Sequence, residues 1–429
     1  LSFQAVFAVG SWWFVTSRVF DPYVLFLLCA TLFNAGHAFL EVVNAEYSGL
    51  LGGRFSDMTV AKTLFYCLAA LSVLHLGALL ARCRDAQSSN TNETANLERA
   101  CCFVGLLLLA ISAFSTFLML RNLLMVTGES GYIAMFDREK AVGFSAAHRV
   151  MMGFFAPGMF ILAVGTRKHR CVSLFLAVLM LAFALAMFTV GSRWQGGMPL
   201  VAFAWLWHRS IKRLPPFALV FAGAVMVFLL FPAIALLRKD SGIDRYSIAA
   251  FGDALAHTSN PAIAAVEEMG RSMATVAHTL ELVPDVRPFD HGRSYLWALF
   301  TVMPGVFWDL HPTTAAGVPS AWLVETVSPW TAARGGGLGY SFIAEAYLNF
   351  GLLGGLAAIA LTGFLFSSLF RWAEHSGNVV NLVLIGCMLP PIMFYSRSEA
   401  ALLVRYLTWY ALIPYFMIHV WCRLLRRSS

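Results

Sequence analysis

About eleven apolar runs, each near the length of a helix that crosses a roughly 30 Å hydrocarbon layer, recur along almost the whole chain. Apolar helices in that number cannot cover their outer surface with polar groups. The backbone groups of each run must therefore be satisfied within a helix in lipid, and the fold class is an all-α polytopic membrane protein. Composition agrees: of 429 residues, 59% are hydrophobic and only 12% charged. The spans are predicted at 1–15, 21–43, 58–81, 101–127, 148–165, 172–191, 195–208, 216–237, 342–370, 379–395 and 404–424. This gives an N-terminal bundle over 1–237, a large loop over 238–341 and C-terminal spans over 342–429. The chain opens on Leu1, which leaves room for a longer first segment or one more span upstream, and nothing there reads as a cleavable signal peptide.

Lys and Arg in the short loops set the orientation. Arg82/Arg84/Arg99, Arg167/Lys168/Arg170, Arg209/Lys212/Arg213 and Arg423/Arg426/Arg427 fall on alternate loops, which are expected to face the cytoplasm. Loops 44–57, 128–147, 192–194, 238–341 and 396–403 are then extracytoplasmic. None of the eight cysteines lies in these outer loops and their spacings match no zinc site, so neither a disulfide framework nor a metal is expected. The pair Cys101–Cys102 reads as packing.

The loop 238–341 is long enough to carry structure and function of its own. Within it, Val266, Met269, Met273, Val276 and Leu280 step at helical spacing, while Glu267, Glu268, Arg271, Thr275 and His278 take the other side. That pattern predicts an amphipathic helix lying at the membrane surface or capping a cavity. The run YLWALFTVM, 295–303, is too short to cross and ends at Pro304, so it reads as interfacial or re-entrant. Arginines are abundant on this side: Arg238, Arg245, Arg271, Arg287, Arg293 and Arg334 in the loop, with Arg193, Arg397 and Arg405 nearby. Forked guanidinium donors suit phosphate oxygens. The alternative is solvated charge balanced by Asp240, Asp244, Asp285 and Asp290.

After the turn GGGLG, the helix that follows carries Ser341, Glu345 and Asn349 at i, i+4, i+8, one polar stripe on an apolar cylinder. Such a stripe faces protein or water rather than lipid. Gly351, Gly354 and Gly355 below it would let a neighbouring helix approach closely. Two readings of Glu345 stand open: a proton acceptor, or a structural carboxylate paired with one of the arginines.

The segment HGRSYLWALFTVMPGVFWDLHP (291–312), followed by GLGYSFIAEAYLNFG (337–351), resembles the oligosaccharide repeat-unit polymerases of the Wzy or O-antigen polymerase family, as does GSRW at 191–194. The resemblance covers the last 240 residues or so; the N-terminal half matches only in hydropathy. It implies a fold similar to the GT-C class of lipid-linked sugar transferases, in the bacterial inner membrane with the active site facing the periplasm. The implied reaction transfers a growing glycan from undecaprenyl diphosphate to a sugar hydroxyl of a lipid-linked repeat unit. That chemistry needs a base and stabilisation of the departing diphosphate. No outer loop holds an Asp-x-Asp, so the expected stabilisers are Arg193, Arg238 and Arg397, then Arg245, Arg293 and Arg405, without metal or cofactor. The candidate bases are Glu345 and His291, with His311 behind them; family members often carry another residue where His291 stands. Tyr295, Tyr340, Ser341 and Asn349 are expected at the sugar or lipid.

Trp12, Trp13, Trp194, Trp308, Trp330 and Trp409 fall near predicted interfaces as an aromatic belt, although Trp194, Trp308 or Trp330 could stack on a sugar. Expected partners are the lipid-linked oligosaccharide, membrane lipid and a chain-length regulator. Nucleic acid is not among them, because the basic residues are spread over membrane loops. The rival readings are an O-antigen ligase and a flippase; the sequence shows no internal repeat of the kind transporters carry.

Overall fold

A computed structural model describes residues 1–81, 91–131, 146–232, 234, 249, 252, 260–303 and 311–428. Arg238, Arg245, Pro304 and Trp308 lie outside the described residues. Among those described, every regular element is helical. The first half runs α1 Ser2–Thr16, α2 Pro22–Val42, α3 Asp57–Leu80, α4 Thr91–Ser130, α5 Ala146–Gly153, α6 Phe155–Gly165, α7 Arg170–Val190, α8 Arg193–Ser210 and α9 Pro216–Val225. The region predicted as one long loop carries α10 Pro261–Gly270, α11 Ser272–Leu282, α12 Arg293–Phe300, α13 Pro312–Ala316, α14 Pro319–Val327 and α15 Pro329–Ala333. Then follow α16 Phe342–His375, α17 Val379–Tyr395 and α18, which starts at Ala400–Leu407 and continues through a wider turn into Ile413–Ser428.

Local chemistry sets these boundaries. Asp21 accepts from the Tyr23 amide at 2.9 Å just ahead of Pro22, and Ser56 accepts from the Thr59 amide at 3.2 Å. Pro261, Pro312, Pro319 and Pro329 each open a helix, where the missing N–H and fixed φ cost nothing. α7 closes on Gly191 in the left-handed region, φ 95°.

Among the described residues, seven helices are long and apolar enough to cross a membrane: Pro22–Val42, Asp57–Leu80, Ala95–Glu129, Ala147–Gly165, Arg170–Val190, Phe342–His375 and Ala400–Arg427. The other four predicted spans correspond to α1, α8, α9 and α17. Of these, α1 has 15 residues, a rise of roughly 22 Å, and α8 holds Gln195, Pro199 and Arg209.

The chain forms two compact units, and they cut across the linear division drawn from sequence. One comprises Leu1–Arg84, Ile263–Trp372 and Pro391–Tyr406; the other comprises Asp85–Ala262, Ala373–Pro390 and Leu407–Ser429. In the second unit α4 and α6 meet through glycines: a side chain at Gly105 would strike Leu162, and one at Gly165 would strike Cys102. The Cys101–Cys102 pair is thus helix-packing surface. Glu98 holds both Arg167, at 2.6 Å, and Lys168, at 2.7 Å.

In the first unit the predicted amphipathic helix is two helices, α10 and α11, with Arg271 at the break. Their apolar side meets protein rather than a membrane surface: Val266, Met269, Met273 and Val276 are buried. Gly36 of α2 lies directly against Gly270, and the His37 ring meets the Glu267 carbonyl at 2.9 Å. Thr59 of α3 donates to Glu281 at 2.8 Å. Thr275, expected on the polar side, is also buried; its hydroxyl returns to the Ser272 carbonyl at 2.7 Å, which removes the penalty for burying it.

Helix α16 crosses α3 at Gly363 and Gly77, whose absent side chains would collide with the Leu74 and Ala360 carbonyls. Of the expected glycines, Gly355 does let a neighbouring helix come close, since a side chain there would strike the Tyr66 hydroxyl of α3, whereas Gly351 takes φ 67° and breaks α16. The break frees the carbonyls of Leu348 and Asn349, which accept from the backbone amides of Asp290 at 2.9 Å and His291 at 3.0 Å. Gly77→Val and Gly363→Val should each cost about 1–3 kcal/mol through overpacking. Thermal unfolding in detergent measures it, with Gly10→Ala, which meets nothing within 4 Å, as the control. Unchanged midpoints for both valine variants would contradict this crossing.

Candidate functional site

The stripe on α16 faces protein: Ser341 and Asn349 are fully buried, and Glu345 is 1% exposed. Glu345 Oε1 accepts from Ser294 Oγ of α12 at 2.7 Å, and Oε2 accepts from the Ala400 backbone amide at 2.7 Å. Ala400 opens α18, so a carboxylate from one helix satisfies an otherwise unpaired amide at the start of another. Asn349 Nδ2 donates to Ser294 Oγ and to the Glu345 carbonyl, both at 2.8 Å. Ser341 donates to Asn34 Oδ1 at 2.5 Å, and Asn34 Nδ2 donates to the Ser396 carbonyl at 3.1 Å. Among the described residues, the partners of Glu345 are thus a hydroxyl and an amide. Among the described residues, no arginine pairs with it.

Above this network lies a cavity of about 380 Å³. Its wall includes Ser320 and Glu325 of α14, the turn Gly335–Tyr340, and Arg397, Ser398 and Glu399 from the loop before α18. The turn owes its path to Gly335 and Gly339, both at φ 71°. The Arg397 guanidinium lies against Gly339 so closely that any side chain there would strike it, and it lies 5.6 Å from the Phe33 ring. Glu399 caps α14: its Oε2 accepts from the Ser320 amide and its Oε1 from the Ser320 hydroxyl, both at 2.9 Å. Burial pushes the Glu399 carboxyl above the usual carboxylate range, against the opposing pull of the Ser320 amide and hydroxyl.

The other predicted residues are placed as follows. His291 and Arg293 are exposed; His291 has a left-handed backbone, φ 50°, and its amide is engaged by the α16 break. Tyr295 stacks on Phe350 at 5.9 Å, and Tyr340 is buried on the cavity wall. Arg405 is exposed, with its guanidinium 5.7 Å from the Tyr406 ring. Arg193 belongs to the second unit, buried and 5.7 Å from the Phe231 ring. His311 starts α13, its ring accepting from the Thr313 amide at 3.3 Å. Charge balance accounts for two loop arginines: Arg287 pairs with Asp290 at 2.8 Å and Arg271 with Glu267 at 3.7 Å. Exposed Trp330 carries the Arg334 guanidinium on its face at 3.4 Å.

Sequence reading missed Glu399, Ser294, Ser320 and Asn34. Glu399 and Ser294 were within reach, the first two residues beyond Arg397 and the second inside the quoted HGRSY element. Asn34 gave no signal, because the groups it joins at the site, Ser341 and Ser396, lie more than 300 residues away in sequence.

Spanning helices that bury a polar network beneath an arginine-bearing cavity define a polytopic membrane protein with a built polar site. A family model described as O-antigen polysaccharide polymerase Wzy matches residues 11–428, and the chain belongs to that family. The match takes in the N-terminal half, which the quoted motifs left to hydropathy alone. Searches of curated proteins and of solved structures returned no match. The family consists of inner-membrane polymerases that act on lipid-linked oligosaccharide repeat units.

Ser294→Ala removes the hydroxyl shared by Glu345 and Asn349, leaving a buried carboxylate oxygen short of a donor. A loss of about 1–3 kcal/mol is expected, read as a lower unfolding midpoint in detergent. A midpoint equal to wild type would mean that the hydroxyl is not what satisfies Glu345.

Proposed function

We propose that the protein transfers a growing glycan from undecaprenyl diphosphate to a sugar hydroxyl of a lipid-linked repeat unit, at the periplasmic side of the inner membrane. The single observation that carries this reading is the cavity in which Arg397, fixed against the glycine turn, and the buried carboxylate Glu399 share one wall. The departing diphosphate needs its charge met, and a guanidinium fork supplies paired donors to phosphate oxygens. Arg397 takes that role, independently of a metal ion. Arg293 and Arg405, both exposed, and Arg193 are further candidates, as are Arg238 and Arg245. A carboxylate of the site accepts the proton of the attacking hydroxyl. Periplasmic placement rests on the basic clusters of the alternate loops.

Purified protein incubated with lipid-linked repeat unit and a chelator should build a ladder of products one repeat apart. Movement of unchanged substrate across vesicle walls would point to a flippase instead, and transfer only to a different acceptor would point to a ligase. Arg397→Lys should reduce the ladder about a hundredfold, as loss of a positioned donor does. Gly339→Val should act in the same direction by displacing the guanidinium. Full ladders from both variants would remove Arg397 from the mechanism.

A further inference from the structure

The first unit holds two buried carboxylates one peptide apart in effect: Glu399, and Glu345 bound to the amide of Ala400. We infer that Glu399 takes the proton from the acceptor hydroxyl, and that Glu345 is a positioning residue acting through the Ala400 amide. The inference rests on the transferase reading above and assigns roles within the same site.

Three observations carry it. First, Glu399 is on the cavity wall and Glu345 is not among the wall residues. A base must come within hydrogen-bond reach of the proton it removes, and of these two carboxylates Glu399 is the one that borders the cavity. Second, the donors around the two groups differ in origin. Both Glu345 oxygens are engaged by separate elements, α12 through Ser294 and α18 through Ala400. Among the described residues, the side chain of Glu399 is held by Ser320, through its amide and hydroxyl. A carboxylate offers about four acceptor positions, and one residue on one side occupies only two of them. Third, the loop that carries Glu399 is pinned on both sides: the Ser396 carbonyl by Asn34 at 3.1 Å, and the Ala400 amide by Glu345 at 2.7 Å. Arg397 and Glu399 are alternate residues of that pinned loop and share the wall. The cation for the leaving group and the base for the nucleophile are thereby fixed on one short segment. Burial, which raises the basicity of Glu399, acts in the same direction.

The step balances. The acceptor O–H proton moves to a Glu399 oxygen. The freed oxygen pair forms the new bond to the anomeric carbon of the donor glycan. The bond from that carbon to the phosphate oxygen breaks, and its electron pair leaves on undecaprenyl diphosphate beside Arg397. Water then takes the proton from Glu399.

The test measures turnover of the full-length protein on lipid-linked repeat unit, together with substrate affinity. Glu399→Gln should lower saturated turnover by about a hundredfold or more, the contribution of a general base, with KM little changed. Glu399→Ala should regain turnover with added formate, a small carboxylate able to occupy the vacated space. Glu345→Ala should lose activity without formate rescue, because its effect passes through a displaced loop. Formate rescue keeps the test decisive even where loss of the Ser320 contacts loosens the site. Near wild-type turnover by Glu399→Gln, or rescue of Glu345→Ala in place of Glu399→Ala, would overturn the assignment while leaving the polymerase reading intact. A wild-type protein that forms no ladder would overturn that reading first, and this inference with it.

Discussion

A carboxylate buried in a membrane protein must be satisfied where it stands, and Glu345 meets that condition by tying three segments together. It belongs to α16, accepts a hydroxyl from α12 and accepts the first amide of α18. Those segments come from distant parts of the chain. The cost of burying Glu345 is therefore offset only if all three arrive together, which makes this contact a condition on the assembly of the first unit rather than one bond among many. The same logic repeats next to it: Glu399 caps α14 through Ser320, so each of two neighbouring carboxylates closes the start of a helix from another element.

Glycine acts in two distinct ways around this core. At Gly77 and Gly363 the absence of a side chain lets two spans touch backbone to backbone, where lipid offers no hydrophobic force to bring them together. At Gly339 and Gly351 it permits backbone angles that other residues resist. The first lets a guanidinium rest on the chain, and the second opens two carbonyls to the segment carrying His291 and Ser294. Of the latter, Gly339 lines the cavity and Gly351 breaks α16.

Much of this was legible before any coordinates. The polar stripe Ser341, Glu345, Asn349 announced itself by helical spacing on an apolar cylinder and does face protein. Arg397 and the glycine turn were both marked. Among the described residues seven helices have spanning length and apolarity, and the other predicted runs fall on shorter or proline-bearing helices such as α1 and α8, which hydropathy registers as readily as long ones. The amphipathic pattern at 266–280 gave the right apolar face and left its cover open between a membrane surface and a cavity: periodicity says which side avoids water, and cannot say whether lipid or protein meets it.

Sequence alone determined the solvent, since so many apolar runs fit only a membrane, and it determined which side chains would be too costly to leave facing lipid. Tertiary structure alone decided their partners. Glu345 could have met an arginine; it met Ser294 and Ala400, because the break at Gly351 and the pinned loop 396–400 bring those groups, 51 and 55 residues away, to its two oxygens. Burial penalties are local and can be read from residue type and spacing. The donors that relieve them are supplied by chain segments whose approach only the folded packing defines.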